Sequence, residues 1–417
     1  MKSSLYWTLL VAAAATVTGV GAACAGDVIL NHDKNFWSPQ LQAVGDLCGT
    51  KTGVKIVQQA YSPPDQYKAF IQSSIASGST PDMFTWWSGA TFRDDLVATG
   101  QIAQLDDVWA DMLKSGDFKE ESGAPFKIEG HYYAVPLHFN RWVMFYNPEL
   151  FQKAGITAAP KTWDELMGDA DKLKKAGITP FVTTTQDGWR GFIWFEELMI
   201  RTNPKAYLGL FDGTTHYDGP EVRKVFQIWG DMFAKGYFTD PRSNQEIQDF
   251  AAGKGAMDLM GEWAMGLMKD SGMKIGKDLD GFITPDVDPA AGPGLIFEAS
   301  PLVVSVAGKG KPDVMTALKC WISTDAAAKW GEVSGNFMGN VKATPPNAVV
   351  SKVSDAIAAD KSTQLYPRWW EAVPAELQGE SVAALNSFML NPTPATADKV
   401  MSDIEALHKQ YWASHKK

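Results

Sequence analysis

The chain has 417 residues, 45% hydrophobic and 12% aromatic with 16 Trp, so it gains too much from burying rings to stay disordered. Its 38 Lys and Arg stand against 48 Asp and Glu, a formal charge of -10, which excludes a protein that lives on nucleic-acid phosphate or anionic lipid. That much apolar material exceeds what one core fills, and at least two lobes are expected.

Residues 1–25 read as a secretory signal peptide. Lys2 precedes a short apolar run, and small residues lead to Ala23-Cys24-Ala25, which predicts cleavage after Ala25. The alternative is a lipid anchor on Cys24, although Gly21 stands where such sites usually carry Leu. No later run of about 20 apolar residues spans a bilayer. Cleavage leaves Cys48 and Cys320, which read equally as a disulfide in an oxidising compartment and as two small buried residues on apolar helical faces.

Strand and helix patterns then alternate. A strand over 28–30 leads to a helix that Ser38 caps and Pro39 opens, and a second strand follows over 54–57. Tyr67, Phe70, Ile71 and Ile75 share the face of a helix stopped by Gly78, before a third strand over 83–87. Thr162 and Glu165 form a capping box for a helix that Gly177 and Pro180 end. Val222, Val225, Phe226, Trp229 and Phe233 mark another helix, closed by Gly236, and Ser243 with Glu246 repeats the capping signature. Helices are also predicted over 313–323 and 397–411. The expected class is α/β, with helices on a mainly parallel sheet.

Motifs for chemistry are missing. There is no CxxC, HExxH, P-loop or Gly-x-Ser-x-Gly, and the six histidines lack metal spacing, so no metal, cofactor or catalytic residue is predicted.

Several segments follow one another in a recognisable order: Gly78-Ser79-Thr80-Pro81-Asp82, Gly100 to Leu105-Asp106, Gly130-His131-Tyr132-Tyr133-Ala134-Val135-Pro136, Phe145-Tyr146-Asn147 and Lys153-Ala154-Gly155-Ile156. Pro160-Lys161-Thr162-Trp163-Asp164-Glu165-Leu166 comes next, and later Phe250-x-x-Gly-Lys-Gly-Ala-Met-x-x-x-Gly-x-Trp263. With these blocks the chain resembles the extracellular solute-binding proteins of ABC importers, in the group that includes the maltose-binding protein. The resemblance implies a type II periplasmic-binding-protein fold, two α/β lobes joined by crossing strands with a ligand cleft between them. By the same resemblance one lobe comprises 27–137 plus 300–342 and the other 138–299 plus 343–417.

A sugar needs flat aromatic platforms and polar groups aimed at its edge. The expected ligand-binding residues supply both. His32, Asp33 and Lys34 follow the first strand where the resembled family places polar contacts, and Trp37 lies just beyond. Asp33 is the leading contact among them, with a turn or capping carboxylate as its alternative. Trp86, Trp87 and Ser88 end the third strand, on the usual binding edge of an α/β sheet; alternation along the strand allows only one of the two indoles to face the cleft. Asn140 and Arg141 interrupt an apolar run at the expected first crossing, where Arg141 contacts ligand or braces the hinge through an ion pair. Gln186, Trp189 and Arg190 form a polar and aromatic loop. Trp263 matches the family tryptophan that stacks on sugar. Glu298 lies at the second expected crossing, and Arg368 suits a cleft wall beside Trp369 and Trp370 or the core.

The function implied is a periplasmic, monomeric receptor that closes on a mono- or small oligosaccharide and delivers it to the membrane permease of an importer. Alternatives are a secreted carbohydrate-active enzyme with paired carboxylates, drawn from Asp33, Glu262 and Glu298, and a polyamine-binding protein of the same fold. Arginines near the cleft speak against the polyamine.

Overall fold

The computed structural model describes residues 26–185 and 188–415. The expected signal peptide, Cys24 and Gln186 lie outside the described residues.

The first strand, β1 (Val28–His32), pairs in parallel with β2 (Ile56–Ala60) and β3 (Met83–Thr85) on either side, as the opening pattern predicts. A small hairpin of β4 (Lys127–Ile128) and β5 (His131–Tyr132) precedes the 13-residue strand β6 (Ala134–Tyr146). Then come β7 (Thr179–Phe181), β8 (Gly255–Gly261), β9 (Asp280–Phe282), β10 (Gly294–Val304) and β11 (Gln364–Pro367). The main sheet runs β2-β1-β3-β10-β6-β8-β7, with β11 on β10 and β9 on β6.

Two strands carry the chain across this sheet. β6 is buried along almost its whole length, which explains its near-continuous apolar sequence. Its first part, to Arg141, pairs antiparallel with β10, and Trp142 to Tyr146 pair with β8. β10 pairs with β3 at one end and β11 at the other. Its register on β6 shifts between Ser300 and Pro301, where proline has no amide to donate. The sheet is thus mixed, and the expectation of a mainly parallel one is corrected by the antiparallel crossing strands.

Two hydrophobic cores flank the crossing. One holds Leu30, Trp86, Trp109, Phe139, Phe297 and Trp321. The other holds Trp142, Phe195, Trp229, Met257, Ile296 and Trp369. Neighbouring residues of β10, Ile296 and Phe297, belong to different cores, and between Ala343 and Val349 the chain leaves the first core and enters the second. Trp263, Phe337 and Leu365 pack against both.

Three local expectations change. Ser38 is the first residue of helix Ser38–Thr52 and makes no capping bond, because the 3-10 turn Asn35–Trp37 runs directly into it. Thr162 caps helix Trp163–Lys175 through the Glu165 amide at 3.2 Å, but the Glu165 carboxylate reaches Lys161 N at 2.6 Å, one residue before the cap. Ser243 does not cap either: its hydroxyl bonds the Asp249 carboxylate, and the helix starts at Glu246.

Cys48 on helix Ser38–Thr52 and Cys320 on helix Pro312–Trp321 are joined in a disulfide across a sequence separation of 272. A closure that long restricts the unfolded chain strongly. The double variant Cys48→Ser/Cys320→Ser is expected to lose about 2–5 kcal/mol in chemical denaturation. Intact mass without reductant should fall two hydrogens short of the dithiol; a full thiol complement would contradict the bridge.

Candidate ligand site between the lobes

The loop leaving β1 is held by its own side chains. His32 is buried; its Nδ1 accepts from Lys34 N at 3.1 Å, so Nε2 carries the proton that bonds Gln58 Oε1 at 3.1 Å. Burial pushes its pKa down. Asp33 and Lys34 form an ion pair at 3.0 Å with little solvent access, and Asp33 also accepts from Thr85 Oγ1 at 3.4 Å. Lys34 Nζ lies 5.0 Å from the centre of the Trp87 ring.

Strand alternation separates the two tryptophans after β3. Trp86 is fully buried against Tyr67, whereas Trp87 is half-buried between Lys34 and Lys68. Ser88 is buried beside them, and Trp37 packs edge-on against His138 at 4.9 Å and Trp330 at 5.3 Å.

The polar interruptions of β6 are paired. Asn140 Nδ2 donates to His138 Nδ1 at 2.7 Å, and both side chains are buried. Desolvation, with Lys34 and Arg368 nearby, holds the His138 pKa well below its ordinary value, so the ring is neutral. Arg141 grips Glu262 with two prongs, Nε to Oε2 at 2.9 Å and Nη2 to Oε1 at 2.6 Å, and donates to Ser354 Oγ at 2.9 Å. The guanidinium ties β6, the end of β8 and helix Ala348–Ala359 together. This is the bracing geometry, and Glu262 is wholly buried by it.

Glu298 on β10 meets Arg368, which follows β11. Arg368 also holds Glu371, with Nε to Oε2 at 2.7 Å, and lies 5.8 Å from the Trp142 and Phe192 ring centres. Glu196 of helix Phe192–Thr202 accepts from Trp369 N at 2.6 Å within the same cluster. Burial, reinforced by Glu371 and opposed by Arg368 and Lys34, pushes the Glu298 pKa up to about 7. Burial likewise raises Glu196 well above the carboxylate range. Glu196, Glu371 and His138 were not among the predicted site residues. The spacing of Arg368 and Glu371, three apart on a short helical turn, was the one signal available.

These shifts make stability depend on pH in two opposed ways. Glu298 keeps its proton to about pH 7 when folded and loses it near 4.5 when unfolded, so its contribution is full at low pH and is lost as pH rises through that window. Buried His32 and His138, with depressed pKa values, act in the other direction and cost stability as pH falls below 6.5. Glu298→Gln is expected to flatten the first slope, of which Glu196 keeps a share, and to leave the second. Melting temperatures of both proteins between pH 5 and 8 would check this, and parallel profiles would contradict it.

The facing wall is aromatic. Arg190 stacks on Trp189 with 3.7 Å from guanidinium to ring centre and pairs with Glu246 at 3.1 Å. Trp189 lies 6.3 Å from Trp263 and 5.9 Å from Phe192, and Phe192 lies 6.0 Å from Trp370. The half-buried Trp263 indole folds over Gly261, where a Cβ would come within 2.5 Å of Nε1. The lobes also touch directly. A Cβ at Gly89, whose φ is +81°, would collide with the backbone carbonyl of Glu371 in the opposite lobe.

Residues 38–328 match the family model for bacterial extracellular solute-binding proteins. The chain belongs to that family. This solute-binding protein is 29% identical over 204 residues to an uncharacterized ABC transporter extracellular-binding protein of Pyrococcus horikoshii, covering 47% of this chain and 45% of the relative. It is also 29% identical over 204 residues to the sn-glycerol-3-phosphate-binding periplasmic protein UgpB of Yersinia pestis, covering 44% and 45% of the two chains. The matched parts thus span less than half the length of these relatives. Among solved structures, a chitin oligosaccharide binding protein superposes with a TM-score of 0.75 at 21% identity, over 92% of this chain and 98% of the other. The sugar-binding protein MalE of Xanthomonas citri superposes at 0.74 with 15% identity, over 94% and 100%. Both share the two-lobed type II fold, as the resemblance implies. Among the described residues no helix is long and apolar enough to cross a membrane.

Proposed function

We propose that this solute-binding protein is the periplasmic, non-enzymatic receptor of an ABC sugar importer. It binds a mono- or small oligosaccharide between two hinged lobes, 27–137 plus 300–342 and 138–299 plus 343–417, and delivers it to the permease as a monomer exported by cleavage after Ala25. One observation carries the reading. The half-buried indole of Trp87 lies by Lys34, Lys34 and Arg368 both act on Glu298, and the half-buried indoles of Trp189 and Trp263 neighbour each other beside Phe192, whose ring centre is 5.8 Å from Arg368. Aromatic faces with hydrogen-bonding groups between them suit the C–H faces and hydroxyl rim of a sugar.

Isothermal calorimetry against neutral mono- and disaccharides tests it. Saturable binding without product formation supports the receptor; turnover of a glycoside supports the enzyme instead. The aromatic wall, on which Arg190 already stacks over Trp189, also suits a polyamine as the second reading. Putrescine and spermidine therefore belong in the panel.

If closure between the lobes accompanies binding, Gly89 should matter without touching ligand. Gly89→Ala would collide with Glu371 in the closed arrangement and is expected to weaken binding by about tenfold or more, with both lobes still folded. Solution scattering on the saturated variant should report a more open particle. An unchanged affinity would deny that this contact belongs to the bound state.

A further inference from the structure

Resting on that reading, we propose that the cleft takes a sugar bearing an oxyanion on its rim, a carboxylate or a phosphate, and that Lys34 and Lys68 hold this group beside Trp87. The two side chains come from different elements of one lobe, Lys34 from the loop after β1 and Lys68 from helix Pro64–Ala76. Their ammonium nitrogens lie 5.0 and 4.9 Å from the centre of the same half-buried indole. That indole stands where the lobes meet. Two residues further on, Gly89 abuts the backbone of Glu371, and Lys34 itself acts on Glu298, which is bound to Arg368.

Both ammoniums have donors left for a ligand. Each carries three. Lys34, whose side chain is 9% exposed, spends one on Asp33 at 3.0 Å, its single acceptor among the described residues. The Lys68 ammonium makes no hydrogen bond or ion pair with any described residue; Asp95 feels its charge but lies beyond 4.0 Å. A sugar hydroxyl can accept from either ammonium, but only an oxyanion also balances the charge of Lys68. The neighbouring carboxyl groups do not take that role. Asp33 is engaged by Lys34 and Thr85, and Glu371 by Arg368, while burial holds Glu196 protonated and pushes Glu298 up to about 7. A pyranose with its C–H face on Trp87 turns its rim, where an exocyclic carboxylate or phosphate sits, toward the two ammoniums. Solvent at the half-buried Lys68 and the cost of dehydrating the oxyanion leave part of the Coulomb attraction, worth about tenfold in affinity.

Calorimetry on the mature chain tests this with matched sets: glucose with glucuronate and glucose 6-phosphate, galactose with galacturonate, and a neutral disaccharide and inorganic phosphate alone. In at least one set the charged member is expected to bind about tenfold or more tightly than its neutral counterpart, and which anion does so tells carboxylate from phosphate. Lys68→Met keeps a long side chain and removes the charge; it should bring the members of that set to within about threefold of each other. A neutral sugar, the disaccharide included, that binds as tightly as every charged one overturns the inference and leaves the receptor intact. Inorganic phosphate that binds as tightly as the sugar phosphate overturns it too, since the sugar would then contribute nothing. A preference that survives in folded Lys68→Met overturns the place given to the oxyanion. Binding of no sugar at all removes the receptor reading, and the inference falls with it.

Discussion

Arg141→Ala is expected to destabilise the protein by about 3–5 kcal/mol, because it leaves Glu262 buried and without its partner. The pair sits where β6 passes from β10 to β8, so its loss strikes the connection between the lobes as well as the lobe containing Glu262. Glu262 also accepts from Arg141 N at 3.0 Å, a bond that the truncated residue 141 would still offer to the unpaired carboxyl. The double variant Arg141→Met/Glu262→Leu removes both charges and should recover most of the loss, since apolar replacement of a buried pair is often neutral. Urea denaturation of the three proteins measures both effects. A loss under 1 kcal/mol in the single variant would mean that the pair is solvated in solution.

Trp263→Ala tests the proposed sugar platform. Its indole lies between the two cores, 6.3 Å from Trp189, so a ligand gripped there touches both lobes through it. Truncating an aromatic anchor of this kind commonly costs 2 kcal/mol or more, or about 30-fold in affinity. Trp263→Phe keeps a ring and should retain most binding. The half-buried side chain leaves both cores their fully buried members, so far-UV dichroism is expected to be unchanged. Full affinity in a folded Trp263→Ala protein would remove this residue from the site and move attention to Trp87 and Trp189.

The contrast between these two positions shows how far a sequence reaches. Arg141 and Glu262 are 121 residues apart; Arg141 alone reads as a ligand contact or as half of an ion pair, and Glu262 alone only as one of several acidic residues. Their meeting depends on which strands lie beside β6, and that is a property of sheet order rather than of any local pattern. The same holds for Glu298, Arg368 and Glu196, which reach one cluster from three separate elements. Trp86 and Trp87 differ in the opposite way. Alternation along a strand requires them to diverge, yet only the packed lobe assigns Trp86 to its interior against Tyr67.

Local signals succeeded where the physics is local. The parallel β-α-β-α-β start, the helix capped by Thr162 and the apolar face of helix Pro220–Ala234 all follow from periodicity and chain-end hydrogen bonding over a few residues. Ordered motifs spread along the chain identified the family and with it the two-lobed fold. Tertiary structure alone decided the mixed sheet, the bond between Cys48 and Cys320, and above all the charge state of the cleft. A carboxyl group's protonation and a guanidinium's freedom depend on burial and on neighbours brought from far along the chain, and neither is written in the residues beside it.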